Sequence, residues 1–322
     1  MTKKIPVIAV AGPTASGKSS LAMQLCKDLN GELISCDSMQ IYRGMDIGTA
    51  KPTKKDIEEV PHHLIDICEP DVDFSAAAFA ELAKKAIEDV YSRGKTPILC
   101  GGTGLYLDSV LRGVDFGDME PDLALRAELL EYAEKEGAEA LHARLREIDP
   151  EAAEAIHPNN VKRVARALEI CKLSGMTKTE WDKNALRSDS PYNACIIALD
   201  YKNRDNLYIR IHMRVDEMFR MGLEEEVRAL FEKGYLSPET TAGGAIGYKE
   251  LLGYLNGEMT KAEAAEAIKT ATRHYAKRQL TWLRRNPAVH WLYPDDDRYE
   301  DDDAFVSAAH AIIDIHFMMN RE

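Results

Sequence analysis

The hydrophobic positions of this chain follow two patterns that alternate along it. In several stretches the apolar residues recur at helical spacing, as between Phe74 and Arg93, where Ser75 is a candidate N-cap. Short apolar, β-branched runs predict buried parallel strands at residues 5–11, 32–36, 97–100 and 195–200, and an edge strand at residues 289–292. Strands that alternate with helices predict an α/β fold with a parallel sheet.

The segment between the first predicted strand and the first predicted helix matches a phosphate-binding loop, G-x-x-x-x-G-K-[ST]. Its glycines let successive backbone N–H groups converge on one anion, and the helix N-terminus adds further unpaired N–H groups. The lysine adds a mobile charge, and the serine hydroxyl is placed to ligate Mg²⁺. We therefore predict a site for a phosphate-bearing ligand at Gly12, Pro13, Thr14, Ala15, Ser16, Gly17, Lys18 and Ser19.

A helical block interrupts the alternation of strands and helices. Helical periodicity extends from Pro121 to about Lys183, between two strands of one predicted sheet. Because about 75 residues is far longer than an ordinary connection in an α/β protein, we interpret the block as an insertion with its own function. The predicted architecture is a three-layer α/β/α P-loop core with a parallel sheet, formed by residues 1–114 and 193–322, plus a helical insertion domain at residues 115–192.

Polar residues follow two further predicted strands, where a ligand crevice is expected. Ligands of open α/β sheets bind at the carboxyl ends of strands, so Asp37 and Thr103 should face the same crevice as the P-loop. Asp37 could equally cap a turn, and a plain tight turn would also explain the glycines around Thr103. Arg210 and Arg214 lie four apart on one side of a predicted helix and suit a bidentate grip on phosphate oxygens.

Composition narrows the class of protein. The 322-residue chain is 45% hydrophobic and 30% charged, with no apolar run near the ~18 residues that span a bilayer, so we expect a globular protein with no membrane segment. Its N-terminus lacks an apolar run long enough for a signal peptide. The six cysteines contain no C-x-x-C pair, so we expect a reduced, cytoplasmic protein without structural zinc. We expect no metal role for the adjacent His62 and His63, because neighbouring residues on a strand point in different directions.

Charge is unevenly distributed along the chain. The net charge of −13 argues mildly against non-specific nucleic-acid binding, yet six Lys/Arg and no acid lie between Ile268 and Ala288. Lys162, Arg163 and Arg166 lie on or near one face of a predicted helix, a pattern that usually means only a solvated face. We interpret the acidic run at residues 224–226 as a solvated face too.

Seven stretches carry a family resemblance, in order from the P-loop to about Trp291. They are Gly12–Ser19, Ser35–Pro52, His62–Asp66, Gly101–Tyr106, Arg163–Glu169, Ile246–Glu250 and Arg278–Arg285. Together they resemble the bacterial tRNA dimethylallyltransferases, also called tRNA isopentenyltransferases. The second stretch is highly specific for this family, whereas the P-loop alone is not.

The resemblance implies transfer of a dimethylallyl group from dimethylallyl diphosphate to N6 of adenosine 37, beside the anticodon, in tRNAs that read codons beginning with U. It implies Mg²⁺ as cofactor, Asp37 as the base that takes the N6 proton, and Thr103 as a contact to the reacting groups. Lys18 and Arg214 would stabilise charge on the departing diphosphate. Contacts to the tRNA anticodon stem-loop are expected from Asp37, Ser38, Met39, Gln40, Thr103, Arg126, Val161, Lys162, Arg163, Val164, Ala165, Arg166, Gly247, Lys249, Arg278 and Arg285.

The chain departs from the family pattern at Gly244, where the family commonly has glutamine, which leaves fewer polar side chains to touch nucleic acid there. Three alternatives remain. A P-loop kinase of a small molecule or nucleotide would use Asp37 to accept a hydroxyl proton, but would not need the basic insertion. Prenyl transfer to free adenine nucleotides leaves that insertion unused, and a non-enzymatic RNA-binding module leaves Asp37 and Thr103 without a role. We expect a monomer.

Overall fold

The structure is a computed structural model that describes residues 4–112, 122–185, 190–237 and 240–319. The chain forms two compact units. The first combines Met1–Leu111 with Pro191–Glu322, and the second is Arg112–Ser190.

The described part of the first unit contains a six-stranded sheet in which every neighbouring pair is parallel. Its strands are β1 (Ile5–Ala11), β2 (Gly31–Ser35), β3 (His62–His63), β4 (Thr96–Gly101), β5 (Tyr192–Leu199) and β6 (Val289–Leu292). Their order across the sheet is β3-β2-β4-β1-β5-β6, so the P-loop follows a central strand. The predicted edge strand at residues 289–292 is confirmed as β6, whereas β3 was not predicted because two residues carry no periodicity.

Nine helices accompany this sheet in the described part of the first unit, and some of them pack on its two faces. They are α1 (Lys18–Asp28), α2 (Lys54–Glu59), α3 (Ala76–Ser92), α4 (Gly104–Leu111), α10 (Arg204–Met221), α11 (Leu223–Glu232), α12 (Tyr248–Leu255), α13 (Lys261–Leu283) and α14 (Asp302–Met319), the numbers 5–9 belonging to the second unit. Alternate residues of β1 enter opposite cores: Val7 packs with α3 and α4, and Ile8 packs with α1 and α14. This arrangement confirms the predicted three-layer α/β/α fold.

The apolar periodicity between Phe74 and Arg93 corresponds to α3, and Ser75 accepts a hydrogen bond from the Ala78 N–H as its N-cap. Phe79 of this helix is fully buried and stacks on Tyr106 with ring centroids 3.9 Å apart. Burial of such a side chain stabilises the fold by about 1.5–3 kcal/mol. The helical stretch from Arg204 to Lys233 is broken at Gly222, whose φ of +101° ends α10 and begins α11.

The second unit is helical in its described part. Its helices are α5 (Leu123–Glu136), α6 (Ala138–Ile148), α7 (Pro150–Ala155), α8 (Val161–Ser174) and α9 (Lys178–Ala185). Leu141, Leu145 and Val164 form the centre of its own hydrophobic core. Across both units, no described helix is long and apolar enough to cross a membrane.

Candidate active site

The loop after β1 turns sharply because several of its residues adopt left-handed backbone angles. Gly12 has φ +151° and Gly17 has φ +92°, and Ala15 adopts φ +63° although it carries a Cβ. A Cβ on Gly12 would lie 2.8 Å from Ser16 Oγ and 3.0 Å from the Leu199 carbonyl oxygen, so only glycine fits there. The angle at Ala15 costs about 1–2 kcal/mol, and strain of this kind is concentrated at functional sites.

The N-terminus of α1 presents hydrogen-bond donors without side-chain partners. Gly17 is its N-cap and supplies no side-chain hydrogen bond, and no acidic residue lies in its first turn. Ser16 Oγ is buried and has no hydrogen-bond partner within the described ranges. A buried hydroxyl without a partner is costly, and an anion in the loop would supply the missing acceptor.

Two cations lie beside this loop. Lys18 Nζ donates to the Pro13 carbonyl oxygen at 3.2 Å, and an Arg214 Nη donates to Thr14 Oγ1 at 3.4 Å. Burial lowers the pKa of Lys18, and the charge of Arg214 lowers it further. Burial likewise lowers the pKa of Arg214, assisted by Arg210, whose Nε donates to the Ala15 carbonyl at 2.9 Å. No carboxylate of the described residues forms an ion pair with Lys18, Arg210 or Arg214, although the nearby charge of Asp37 raises the pKa values of Lys18 and Arg214. The three cations beside the loop therefore outnumber the carboxylate that acts on them.

The turns after β2 and β4 are joined to each other. Asp37 Oδ1 accepts a hydrogen bond from the Met39 N–H at 2.9 Å, and Thr103 Oγ1 accepts one from the Ser38 N–H at 3.2 Å. Asp37 thus shapes its own turn and also lines the cavity described next, so both interpretations of it hold. Thr103 is not among the residues that line that cavity, and its Oγ1 also lies 3.4 Å from Ser38 Oγ.

A cavity of about 570 Å³ lies at the carboxyl ends of the strands. The predicted site residues among its lining are Thr14, Lys18, Ser19, Asp37, Ser38, Met39, Gln40, Arg214, Gly247 and Arg278. The fold therefore brings the Asp37 carboxylate, the three cations Lys18, Arg214 and Arg278, and the P-loop hydroxyl of Ser19 to one space. Gln40 is fully engaged in the structure, because its amide accepts from Ser35 Oγ and donates to the carbonyls of Thr49 and Ala50.

Gln279 on α13 holds two walls of this site together, a role that the sequence analysis missed. Its side chain is buried, and its Oε1 accepts from the Thr14 N–H at 3.0 Å while its Nε2 donates to the Gly102 carbonyl at 2.9 Å. A Cβ on Gly102 would lie 2.0 Å from that Nε2, and one on Gly101 would lie 2.2 Å from the Cys36 carbonyl oxygen. The glycines after β4 therefore permit close packing. A polar residue on the apolar face of α13, beside Ala276 and Leu280, was the available signal.

The interpretation of residues 224–226 as a solvated face is wrong for Glu226. Its carboxylate accepts hydrogen bonds from the backbone N–H groups of Asp46, Ile47 and Gly48, at 2.7–3.1 Å, and from the Tyr248 hydroxyl at 2.6 Å. A carboxylate that satisfies several N–H groups at once fixes a loop in one conformation. Because Gly48 lines the cavity, Glu226 positions one of its walls.

Comparisons with known proteins place this geometry in a family. A family model described as IPP transferase matches residues 40–286. The chain belongs to this family. The tRNA dimethylallyltransferase of Bacillus subtilis is 49% identical over 289 residues, which cover 90% of this chain and 91% of that protein. The corresponding protein of Thermoanaerobacter sp. (strain X514) is 45% identical over 299 residues, which cover 92% and 95%.

Solved structures of IPP transferases have the same fold. The full-length tRNA isopentenylpyrophosphate transferase of Bacillus halodurans is 43% identical to this chain, with a TM-score of 0.72. The match covers 99% of this chain and 100% of that protein. A eukaryotic dimethylallyltransferase acting on tRNA is 30% identical, with a TM-score of 0.80 over 98% of this chain and 80% of its own. These matches confirm the resemblance found in the sequence, the α/β fold class and the assignment to a family of enzymes.

In the second unit, some of the residues of this chain that we expect to contact tRNA are exposed and others are buried. Lys162 and Arg163 are exposed on α8 and form no ion pair with a described residue. Val164 and Ala165 are fully buried in that unit's core, so the prediction that their side chains contact tRNA is not supported by the structure. They face inward because α8 is amphipathic, while the half-buried Val161 packs at the edge of the core.

Arg126 and Arg166 are bound by a buried carboxylate. Glu169 is fully buried and accepts from Arg126 Nε and Nη at 3.0 and 2.9 Å, and Arg166 lies 2.9 Å from the same carboxylate. These hydrogen bonds outweigh the effect of burial and hold the pKa of Glu169 below its usual range. Both arginines therefore have a structural partner, which the sequence alone did not indicate.

Of the remaining expected tRNA contacts in the first unit, Lys249, Arg278 and Arg285 are exposed, whereas Gly247 is buried. Arg278 lies over Tyr275 and Arg285 over Trp282, with guanidinium carbons 5.5 and 5.9 Å from the ring centroids. Lys249 extends from the first turn of α12, 3.4 Å from Glu250. Gly247, with φ +97°, caps that helix.

Proposed function

We propose that this protein transfers the dimethylallyl group of dimethylallyl diphosphate to N6 of adenosine 37, in tRNAs that read codons beginning with U, and releases diphosphate. One observation carries the proposal: Lys18 and Arg214 line the same cavity as Asp37 without an ion pair to any described carboxylate, in a chain of the IPP transferase family. Cations suit a diphosphate, and a carboxylate suits the removal of a proton.

The P-loop would bind the diphosphate. The first-turn N–H groups of α1 and the unpartnered Ser16 hydroxyl would donate to its oxygens, and Lys18 and Arg214 would neutralise its charge. These donors are held in position before the reaction by the strained loop and by Gln279. Preorganised donors stabilise charge as it develops, which is what a departing diphosphate requires.

In the reaction, the N6 lone pair attacks C1 of the dimethylallyl group as the bond between C1 and the diphosphate oxygen breaks. The bonding electrons leave with the diphosphate, and the proton of N6 passes to the Asp37 carboxylate. The amine is a poor nucleophile because its lone pair is delocalised into adenine, so removal of the proton as the new bond forms lowers the barrier. The hydrogen bond from the Met39 N–H orients Asp37 for this role. Thr103 would act through the Asp37 turn, because its hydroxyl is bonded to Ser38.

The donor set of the site fits Mg²⁺. The Ser19 hydroxyl is exposed to the cavity, which the Asp37 carboxylate also lines, and Mg²⁺ prefers oxygen ligands and keeps several of its waters. Ser19 would hold the ion together with diphosphate oxygens. When bound, the ion supplies positive charge that neutralises the leaving group.

We further propose that Lys162, Arg163, Lys249, Arg278 and Arg285 contact the backbone of the anticodon stem-loop, since each is exposed. The target base must leave its stack to reach Asp37, at a cost of a few kcal/mol that backbone contacts would offset. We propose that the protein acts as a monomer in the cytoplasm. Its six cysteines are all free and buried, which suits a reducing compartment.

A transfer assay tests the function directly. The full chain is mixed with dimethylallyl diphosphate labelled in the prenyl group, Mg²⁺ and unmodified tRNA with adenosines at positions 36–38. We expect label in the tRNA at N6 of adenosine 37, and none when adenosine 37 is replaced by guanosine. A parallel reaction with γ-labelled ATP serves the kinase alternative: label transfer from ATP to the tRNA or to a nucleoside, with none from the prenyl donor, would overturn the proposal.

A further inference from the structure

Three metal-ligating side chains meet in the first unit, apart from the candidate active site. They are Cys195 on β5, His290 on β6 and His316 in the last turns of α14, and their ligand atoms all lie within 4.8 Å of one another. None of the three lines the active-site cavity. The proposed prenyl transfer uses none of them.

The fold explains why the three residues converge. His290 pairs with Ile197 in the parallel register of β5 and β6, and Cys195 precedes Ile197 by two residues, so all three side chains point to the same face of the sheet. Helix α14 covers this face through Ala309 and Ile313, which pack in the same core as Cys195. His316 follows Ile313 by about one helical turn and therefore also faces the sheet.

Neighbouring groups orient His316 as a ligand. Its Nε2 lies 3.0 Å from Asn193 Oδ1, and with Nε2 as the donor, Nδ1 keeps its lone pair. A hydrogen bond from the second ring nitrogen to an oxygen is the usual support of a metal-binding histidine. The rings of His290 and His316 meet edge to face, with centroids 6.1 Å apart.

The three ligands differ in their exposure to solvent. Cys195 is fully buried and His316 is half-buried, and a thiol binds a metal as the thiolate after it loses its proton. His290 is exposed, and an ion can therefore enter from solvent on its side.

We propose that Cys195, His290 and His316 form a binding site for a zinc-type divalent ion that fastens α14 to β5 and β6. One thiolate and two imidazoles are zinc ligands, and a water molecule would complete the tetrahedron. Binding forms a sulfur–metal bond and releases the thiol proton to solvent. Mg²⁺, which prefers oxygen ligands, would not compete there.

Co²⁺ as a spectroscopic probe tests this site. The full-length chain, freed of metals by a chelator and kept in excess Mg²⁺ with a non-thiol reductant, is titrated with Co²⁺. We expect one equivalent to give a thiolate-to-cobalt charge-transfer band with the d–d bands of a tetrahedral ion, and Zn²⁺ to abolish both. His290→Ala should weaken binding at least about tenfold without affecting the fold, because the side chain is exposed.

Variants show whether the signal comes from this cluster. Cys195→Ala should abolish the charge-transfer band, and Zn²⁺ should raise the melting temperature of the parent chain but not that of His290→Ala. His310→Ala, on the same helix but paired with Asp28, and Cys171→Ser, in the second unit, should bind Co²⁺ like the parent. Absence of the band at one equivalent, its persistence in Cys195→Ala, or equal affinity in His290→Ala would overturn the proposal.

Discussion

The two ends of strand β2 each place a carboxylate near cations, with opposite results. At the amino end, Glu32 accepts hydrogen bonds from Arg93 at 2.5 and 2.7 Å, from Lys95 at 2.7 Å and from His63 at 2.7 Å. Just beyond the carboxyl end, Asp37 accepts one backbone N–H, and the cations near it, Lys18 and Arg214, bond only to a carbonyl and a hydroxyl.

The difference separates a structural cluster from a binding site. At Glu32 the charges satisfy one another, so the cluster stabilises the fold and needs no ligand. At Asp37 the cations are buried enough for their pKa values to fall and remain unpaired, which costs stability until an anion arrives. Substitutions should therefore affect activity at one end of β2 and stability at the other.

Asp37→Asn should cause the largest loss. Without the base, the rate of transfer in the labelled assay should fall by about 10²–10⁴-fold, while the free energy of unfolding stays unchanged. Binding of tRNA, measured by filter retention, should change little. If tRNA affinity fell by the same factor as the rate, Asp37 would be a positioning residue instead.

Lys18→Met should lower the transfer rate by about 10²–10³-fold, because one donor to the leaving diphosphate is lost. It should not destabilise the protein, since it removes a cation whose pKa burial lowers. Urea denaturation measures the stability, and Lys84→Met, exposed on α3, is the matched control for both properties. If Lys18→Met lost stability clearly and Lys84→Met did not, Lys18 would stabilise the fold as the Glu32 cluster does, and the two ends of β2 would not differ in this respect.

Glu32→Gln should lower the stability of the protein and leave the transfer rate unchanged. It leaves Arg93 and Lys95 without their carboxylate and weakens the hydrogen bond to His63, and should cost about 1.5–3 kcal/mol of stability, the value for hydrogen bonds to a charged group. The loss stays below that of a fully buried pair, because the side chains of Arg93 and Lys95 are 40% and 32% exposed and can be hydrated. The transfer rate at saturating substrates should not change. A loss of rate without a loss of stability would show that the cluster serves the site.

The same residue should give the stability a pH dependence. Arg93 first, then Lys95 and His63, hold the pKa of Glu32 well below its usual value of 4.5. Because the folded pKa is the lower one, the stabilisation is complete above about pH 4.5 and is lost as the pH falls further. The stability difference between the parent and Glu32→Gln should therefore stay constant above about pH 5 and shrink as the pH falls from about 4.5 to about 3. A constant difference over that range would contradict this account.

Gly244→Gln should have the smallest effect. A Cβ there would lie 3.5 Å from the Thr240 carbonyl oxygen, an ordinary contact, and the position lines the cavity. We expect stability within about 0.5 kcal/mol of the parent and a modest gain in tRNA affinity from the added amide. Gly48→Ala is the contrasting control, since its Cβ would lie 2.5 Å from the ring of Tyr248 and should displace the loop. A loss of stability in Gly244→Gln would mean that the fold requires the backbone flexibility of glycine at this position and not only its small size.

Local patterns made much of this molecule predictable. The P-loop, its flanking elements and Asp37 are each defined by neighbouring residues, and so is the amphipathic face that exposes Lys162 and Arg163. Partners far apart in sequence could not be predicted. Glu226 looked like a solvated acid until the fold placed three backbone N–H groups against it.

The cluster of Cys195, His290 and His316 shows the same limit. Cysteines without C-x-x-C spacing led us to expect no structural zinc, yet the register of β5 and β6 and the return of α14 bring Cys195, His290 and His316 together. Val164 and Ala165 show the opposite case. They belong to a stretch that resembles the family, but helix periodicity alone already places them on the buried face.

The carboxamide of Gln279 connects two backbone segments at a fixed spacing. One of its atoms touches the diphosphate loop at Thr14, the other touches the turn after β4, and its own helix carries Arg278. A side chain one methylene shorter could not reach both backbone groups from α13. The distance between the loop that would hold the prenyl donor and the helix that would meet the nucleic acid is thus set by a single glutamine.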